Sequence, residues 1–221
     1  MNENEGSDAR RSAGMLIVNG IFYALVLSAS VLALSPLVSD GWPRLGNESQ
    51  GRDDVLTASA GLAYQRGAVN FDGVRAESLG PLALAAIDYP WGSQLRGWTI
   101  TFVDGEGHVA GYTWSQESRI EVFVRPGDDV AAVTRVLAHE LGHAVDVSLN
   151  DADERNRWLA QRGAEAVNWW PTSGAADFET GAGDFAEVFA AWQVGDSDFR
   201  SRVARTPTPE DLALLEQLAF D

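Results

Sequence analysis

Apolar positions change their pattern several times along the chain. Residues 13–38, AGMLIVNGIFYALVLSASVLALSPLV, are apolar apart from Asn19 and scattered serines. A helix over that span is long enough to cross a bilayer, and it lacks the polar stripe expected of a buried core helix. Residues 39–79 lose all periodicity and are rich in Gly, Ser, Asp and Asn, which reads as a tether followed by irregular structure. Order resumes at 81–95, where Pro81 is placed to open a helix and Pro90 to end it. Alternation then predicts strands at 98–103, 109–114 and 119–124, with the turn residues 104-DGEG-107 joining the first two as a hairpin. Helical spacing returns at 129–148, 152–163, 183–194 and 209–219. The last of these has a start signal in 206-TPTPEDL-212, a capping threonine followed by proline and two acids. A small antiparallel sheet followed by helices, with no internal repeat, gives an α+β fold class.

The flanks of the apolar span set an expected topology. Arg10 and Arg11 precede it, and the residues after it are mainly neutral or acidic. The positive-inside rule therefore puts residues 1–12 in the cytoplasm, 13–38 in the membrane, and the tether (39–79) and a domain at 80–221 outside. A cleaved signal peptide with secretion is the alternative, since Ala33-Leu34-Ser35 before Pro36 loosely resembles a cleavage site.

Composition narrows the functional classes. The chain has 221 residues and a formal net charge of −16, so an acidic surface disfavours nucleic acid as a partner. It has no cysteine, which removes disulfides and Cys-ligated metal sites.

Two of the three histidines lie in 135-RVLAHELGHAVDV-147. Residues four apart on a helix share a face, so His139 and His143 can reach one ion. Glu140, offset by one residue, sits beside the ion and can take a proton from water that the ion activates. Gly142 permits close approach of a neighbouring backbone. Burying both histidines in the apolar surroundings of Val133, Leu137, Leu141 and Val145 without a metal would strand polar groups.

This stretch resembles the zincin metallopeptidases, in which an HExxH helix carries two zinc ligands and the catalytic glutamate. The resemblance implies Zn²⁺, a peptide or protein substrate, and a substrate strand added to a sheet edge ahead of the helix. The metzincin continuation is absent: Asp146 and Leu149 occupy its glycine and histidine positions, and Met1 and Met15 are the only methionines. A gluzincin-like completion remains, with a carboxylate from 181-GAGDFAEVFAAW-192. That segment resembles the "FAE" helix of such enzymes. The ligand four residues before its glutamate would fall at Gly183, so the pattern shifts by one. Asp184 is then the expected third ligand and Glu187 the group that orients a histidine, with the swapped assignment open.

Asp146 shares the face of His139 and is placed either to orient a ligand or to cap the helix. His108 and Tyr112 are candidates for oxyanion stabilisation, against ordinary turn and strand roles. Trp169 and Trp170 could wall a cleft or pack in the core. The leading expectation is a membrane-tethered zinc metallopeptidase acting outside the cytoplasm. The alternatives are a catalytically inactive zinc-stabilised extracellular binding module, whose closed site would use both Asp184 and Glu187, and a structural membrane protein with a fortuitous motif.

Overall fold

The structure, a computed structural model, describes residues 68–172 and 175–220. The apolar span at 13–38 and the tether up to residue 67 lie outside the described residues. Among the described residues, no helix is long and apolar enough to cross a membrane.

Four strands, β1 (Ala68–Asp72), β2 (Thr99–Asp104), β3 (Gly111–Trp114) and β4 (Arg119–Val124), form one sheet in the order β1-β2-β4-β3. β1, β2 and β4 run parallel, and β3 pairs antiparallel with β4 at the edge. The fold is α+β, but the sheet is mixed, which corrects the expected antiparallel one. The hairpin is also relocated. It joins β3 to β4 through a single 3-10 turn, Ser115–Glu117, closed by Ser118 at φ 49°. The 104–107 turn instead starts a connection past β4 to the sheet edge. Alternation marks a strand's faces and says nothing about which strand lies beside it, so turn residues alone misassigned the neighbour.

Two further corrections concern the start of the domain. Residues 68–79, expected to be irregular, supply β1 and most of the first helix, α1 (Val74–Ala85). Pro81 lies inside α1 rather than opening it. Packing decides this: a side chain at Gly80 would come within 2.7 Å of the Phe71 ring, so α1 lies close against the sheet at that point. Contact of this kind outweighs the backbone hydrogen bond that proline forfeits. The N-terminus of α1 has no cap of its own, and Asp104 at the end of β2 accepts from Ala76 N (2.8 Å) and Arg75 N (3.3 Å) instead.

After a short turn of helix, α2 (Trp91–Gln94), the remaining helices are α3 (Val130–Leu149), α4 (Ala152–Arg162), α5 (Gly181–Val194) and α6 (Pro209–Phe220). Each has a readable start. Asp129 caps α3 through Ala132 N, Asp151 and Glu154 form a capping box on α4, and Thr180 caps α5 through Gly183 N. At α6, Thr208 and Asp211 exchange hydrogen bonds.

The inward face of the sheet carries Ile100, Phe102, Ile120, Val122 and Val124, all essentially inaccessible. α3 lies between this face and α5. At Gly142 an added Cβ would stand 2.7 Å from Ala186 Cα, so this glycine lets the two helix backbones meet, as the sequence suggested. The core therefore surrounds the middle of α3, where its two histidines lie.

Candidate metal centre

One turn of α3 places His139 and His143 on a common face, both buried, with their Nε2 atoms 3.2 Å apart. Asp177, on a 3-10 turn (Asp177–Glu179) just before α5, completes the group. Its Oδ2 is 3.1 Å from His139 Nε2, and its Oδ1 is 3.4 Å from His143 Nε2. Ligands about 2.0–2.2 Å from a tetrahedral Zn²⁺ stand roughly 3.3–3.5 Å from one another. The three side chains thus converge at close to the separation that a shared ion imposes.

The chemistry of the donors agrees with their geometry. Glu187 Oε1 lies 2.9 Å from His139 Nδ1, and accepting a hydrogen bond from Nδ1–H there leaves Nε2 of the neutral ring with its lone pair free. That lone pair faces a carboxylate and a second imidazole nitrogen. Asp177 Oδ1 is buried and accepts no hydrogen bond from the described residues. Lone pairs packed this closely need a cation among them. Without a metal, a proton takes that place. Burial opposes charge on His139, but hydrogen bonds to Asp177 and Glu187 and their negative charges outweigh it and raise its pKa to about 10. Asp177 shows the converse: burial would raise it, yet the charge of His143, with the charge and hydrogen bond of His139, holds it far below the usual carboxylate range. The buried group of His139, His143 and Asp177 can therefore hold a metal ion.

Glu140 stands beside this group and is 2 % exposed. Its Oε2 accepts from Thr113 Oγ1 at 2.8 Å, and the same hydroxyl lies 3.0 Å from the backbone carbonyl of Glu140. A Cβ at Gly111 would come within 2.7 Å of the Glu140 side chain, so this glycine makes the room that the carboxylate occupies. Burial pushes the Glu140 carboxyl up, with the charges of His139 and His143 acting against it. A cleft of about 820 Å³ opens onto Glu140 and His139 and extends along the first half of α3, past Val136 and Val130. Gly111 of edge strand β3 and Phe178 of the 3-10 turn also line it.

Asp184, the expected third ligand, lies outside this group. Asp184 is fully buried, but it faces away from the histidine pair into a saturated set of donors. Arg162 Nε (2.9 Å), Trp158 Nε1 (3.1 Å) and Ser201 Oγ (2.6 Å) all donate to it. Glu187 lies behind the pair and bonds His139, Arg135 Nη2 (2.7 Å) and the backbone N of Arg200 (2.8 Å). The reason that Asp177 takes this place is visible at Gly183. A Cβ there would lie 2.1 Å from the Asp177 carbonyl oxygen and 2.7 Å from Asp177 Oδ2. Asp177 thus fills the space of the side chain that the helix lacks.

The other candidates fall outside the group. Asp146 is held by Arg155 Nε (2.9 Å) and Trp169 Nε1 (3.0 Å). Trp169 packs on Phe185, and the Arg155 guanidinium lies over Trp170 at 4.8 Å, so this pair backs Asp146 rather than lining the cleft. His108 is exposed in the β2–β3 connection. Tyr112 packs with Trp114 and Phe123, on the face of β3 opposite Gly111 and Thr113. Sequence reasoning missed Asp177, Thr113 and Arg135. No protein-family model, curated protein or solved structure gives a match to this chain.

Proposed function

We propose that this chain is a zinc-dependent peptidase whose metal is held by His139, His143 and Asp177. The observation that carries the reading is the convergence of three buried lone-pair donors beside a carboxylate that opens onto a cleft. Bound there, Zn²⁺ would supply Lewis acidity, polarising the scissile carbonyl and lowering the pKa of water toward about 7.

The residues of the chain supply the rest. Glu187 fixes the tautomer and ring orientation of His139, with Arg135 holding the far side of that carboxylate. Thr113 aims Glu140 at the cleft side of the pair. Glu140 takes a proton from the attacking water as the new C–O bond forms, then delivers it to the amine as the C–N bond breaks. β3 is an edge strand, and its inward face touches Glu140, so an extended peptide added along β3 would bring its backbone to the base.

Two histidines and one carboxylate also suit Fe²⁺. The glutamate one residue after the first histidine favours hydrolysis, because it places a proton acceptor beside the ion. A closed, non-catalytic zinc module would need Asp184 and Glu187 on the metal, and both are engaged elsewhere. The apolar span at 13–38 would tether such an enzyme to a membrane with the domain outside the cytoplasm.

Glu140→Gln tests the mechanism. The variant should bind one zinc per chain with wild-type affinity and cut a quenched-fluorescent peptide library at least about 10³-fold more slowly, in keeping with the loss of a general base. Cleavage at the wild-type rate would refute the role of Glu140.

A further inference from the structure

The stretch between α5 and α6, residues 195–208, has no helix or strand, yet of three consecutive residues within it the outer two bond the surroundings of the metal centre and the middle one bonds Asp184. Arg200 N donates to Glu187 Oε2 at 2.8 Å, behind His139. Ser201 Oγ donates to Asp184 Oδ1 at 2.6 Å, which anchors the stretch to the buried Arg162. Arg202 N donates to the Phe178 carbonyl at 2.8 Å, one residue along the turn from Asp177. From these contacts we infer that Arg200-Ser201-Arg202 is a positioning strap that sets Asp177 and Glu187 against the histidine pair. The inference rests on the metal reading above and adds to it the residues that decide how well the site is formed.

The contacts explain why such a strap is needed. Asp177 sits on a single 3-10 turn, and a turn that short has little stiffness of its own. Gly183 gives it room but does not hold it. Thr180 holds the Asp177 carbonyl through its hydroxyl (2.8 Å) and its N–H (2.9 Å), which leaves the middle of the turn, at Phe178, to be restrained from elsewhere. The strap supplies the other restraint, and the same three residues reach Glu187. Asp184, which makes no contact with the histidines, thereby acts on the site from a distance as the strap's anchor. The outer ion pair of Arg202 with Glu179 is a minor part of the device, because both side chains are largely exposed, 59 % and 43 %.

Ser201→Ala removes the anchoring hydroxyl and leaves every proposed ligand in place. In the full chain, chelator competition should show zinc bound about 10-fold more weakly, in the range seen when groups supporting a metal ligand are lost. Ser201→Thr should restore most of that loss, and Arg202→Ala, which keeps the backbone N–H, should bind zinc as wild type does. A Ser201→Ala affinity within twofold of wild type overturns the strap. Should that variant fold poorly, hydrogen exchange on the wild-type chain decides the matter. Zinc should slow exchange of the Arg200 and Arg202 amides at least tenfold, and no change there overturns the inference. A wild-type chain that binds no zinc removes the metal reading and the strap together, a result distinct from equal binding by both proteins.

Discussion

Asp177 and Asp184 are both buried acids near the start of α5, and their surroundings are opposite. Asp184 meets a guanidinium, an indole N–H and a hydroxyl, so its charge is neutralised and its lone pairs are used. Asp177 meets two imidazole nitrogens, one of them left bare by the Glu187 bond, and one of its own oxygens accepts nothing from the described residues. A saturated carboxylate serves the fold, whereas an unsaturated one beside two imidazoles can hold a cation. Burial is common to both and therefore does not distinguish ligand from brace. The donors around each carboxylate do.

The largest expected effect is on the saturated side. Asp184→Ala takes from the fully buried Arg162 one of its two carboxylates, Asp211 being the other, and strands the Trp158 and Ser201 donors, so it should destabilise the protein by about 3 kcal/mol, with or without zinc. Denaturant unfolding of the metal-free chain measures this, and a loss below about 1 kcal/mol would break the contrast. On the other side, Asp177→Ala should weaken zinc binding by more than about 100-fold, beyond the loss from a supporting group. In the metal-free chain it should also cost about 1–3 kcal/mol, because it removes a carboxylate paired with the protonated His139, so zinc affinity rather than stability separates the two variants. Equal zinc affinities for the two variants would erase the distinction between them.

A smaller effect sharpens the electrostatic half of the comparison. In the metal-free chain the His139 pKa is raised to about 10, so zinc must displace a proton throughout the neutral range. The sign follows: zinc affinity rises with pH, up to about tenfold per unit, and levels off as pH approaches the His139 pKa. Calorimetry in two buffers of different ionisation heat should report about one proton released per zinc near pH 7. A flat pH profile would mean that the histidine pair is not where the metal goes.

What could be read from the sequence follows the same division. His139, Glu140, His143 and Gly142 were legible because a single helix fixes their mutual positions, and local periodicity is sufficient to find a helix. The helix starts at Asp129, Asp151 and Thr208 were legible for the same reason. Asp177 was not, since its place depends on Gly183, on the Thr180 cap and on Arg202, and no spacing rule links a turn to a backbone amide so far along the chain. One signal did exist: a glycine stands where the resemblance puts a ligand, which leaves room for a carboxylate from elsewhere. The mixed sheet escaped for a parallel reason. β1 was hidden in a stretch of weak periodicity, and pairing of β2 with β1 and β4 is a long-range choice that alternation does not encode.

Anomalous diffraction at the zinc edge, on crystals of the full chain grown with one equivalent of zinc, tests the central claim most directly. One strong peak is expected about 2.0–2.2 Å from His139 Nε2, His143 Nε2 and an Asp177 carboxylate oxygen, with Glu140 close by but not bonded to it. A peak bonded to Asp184 or Glu187 in place of Asp177, or no peak at the histidine pair, would contradict it.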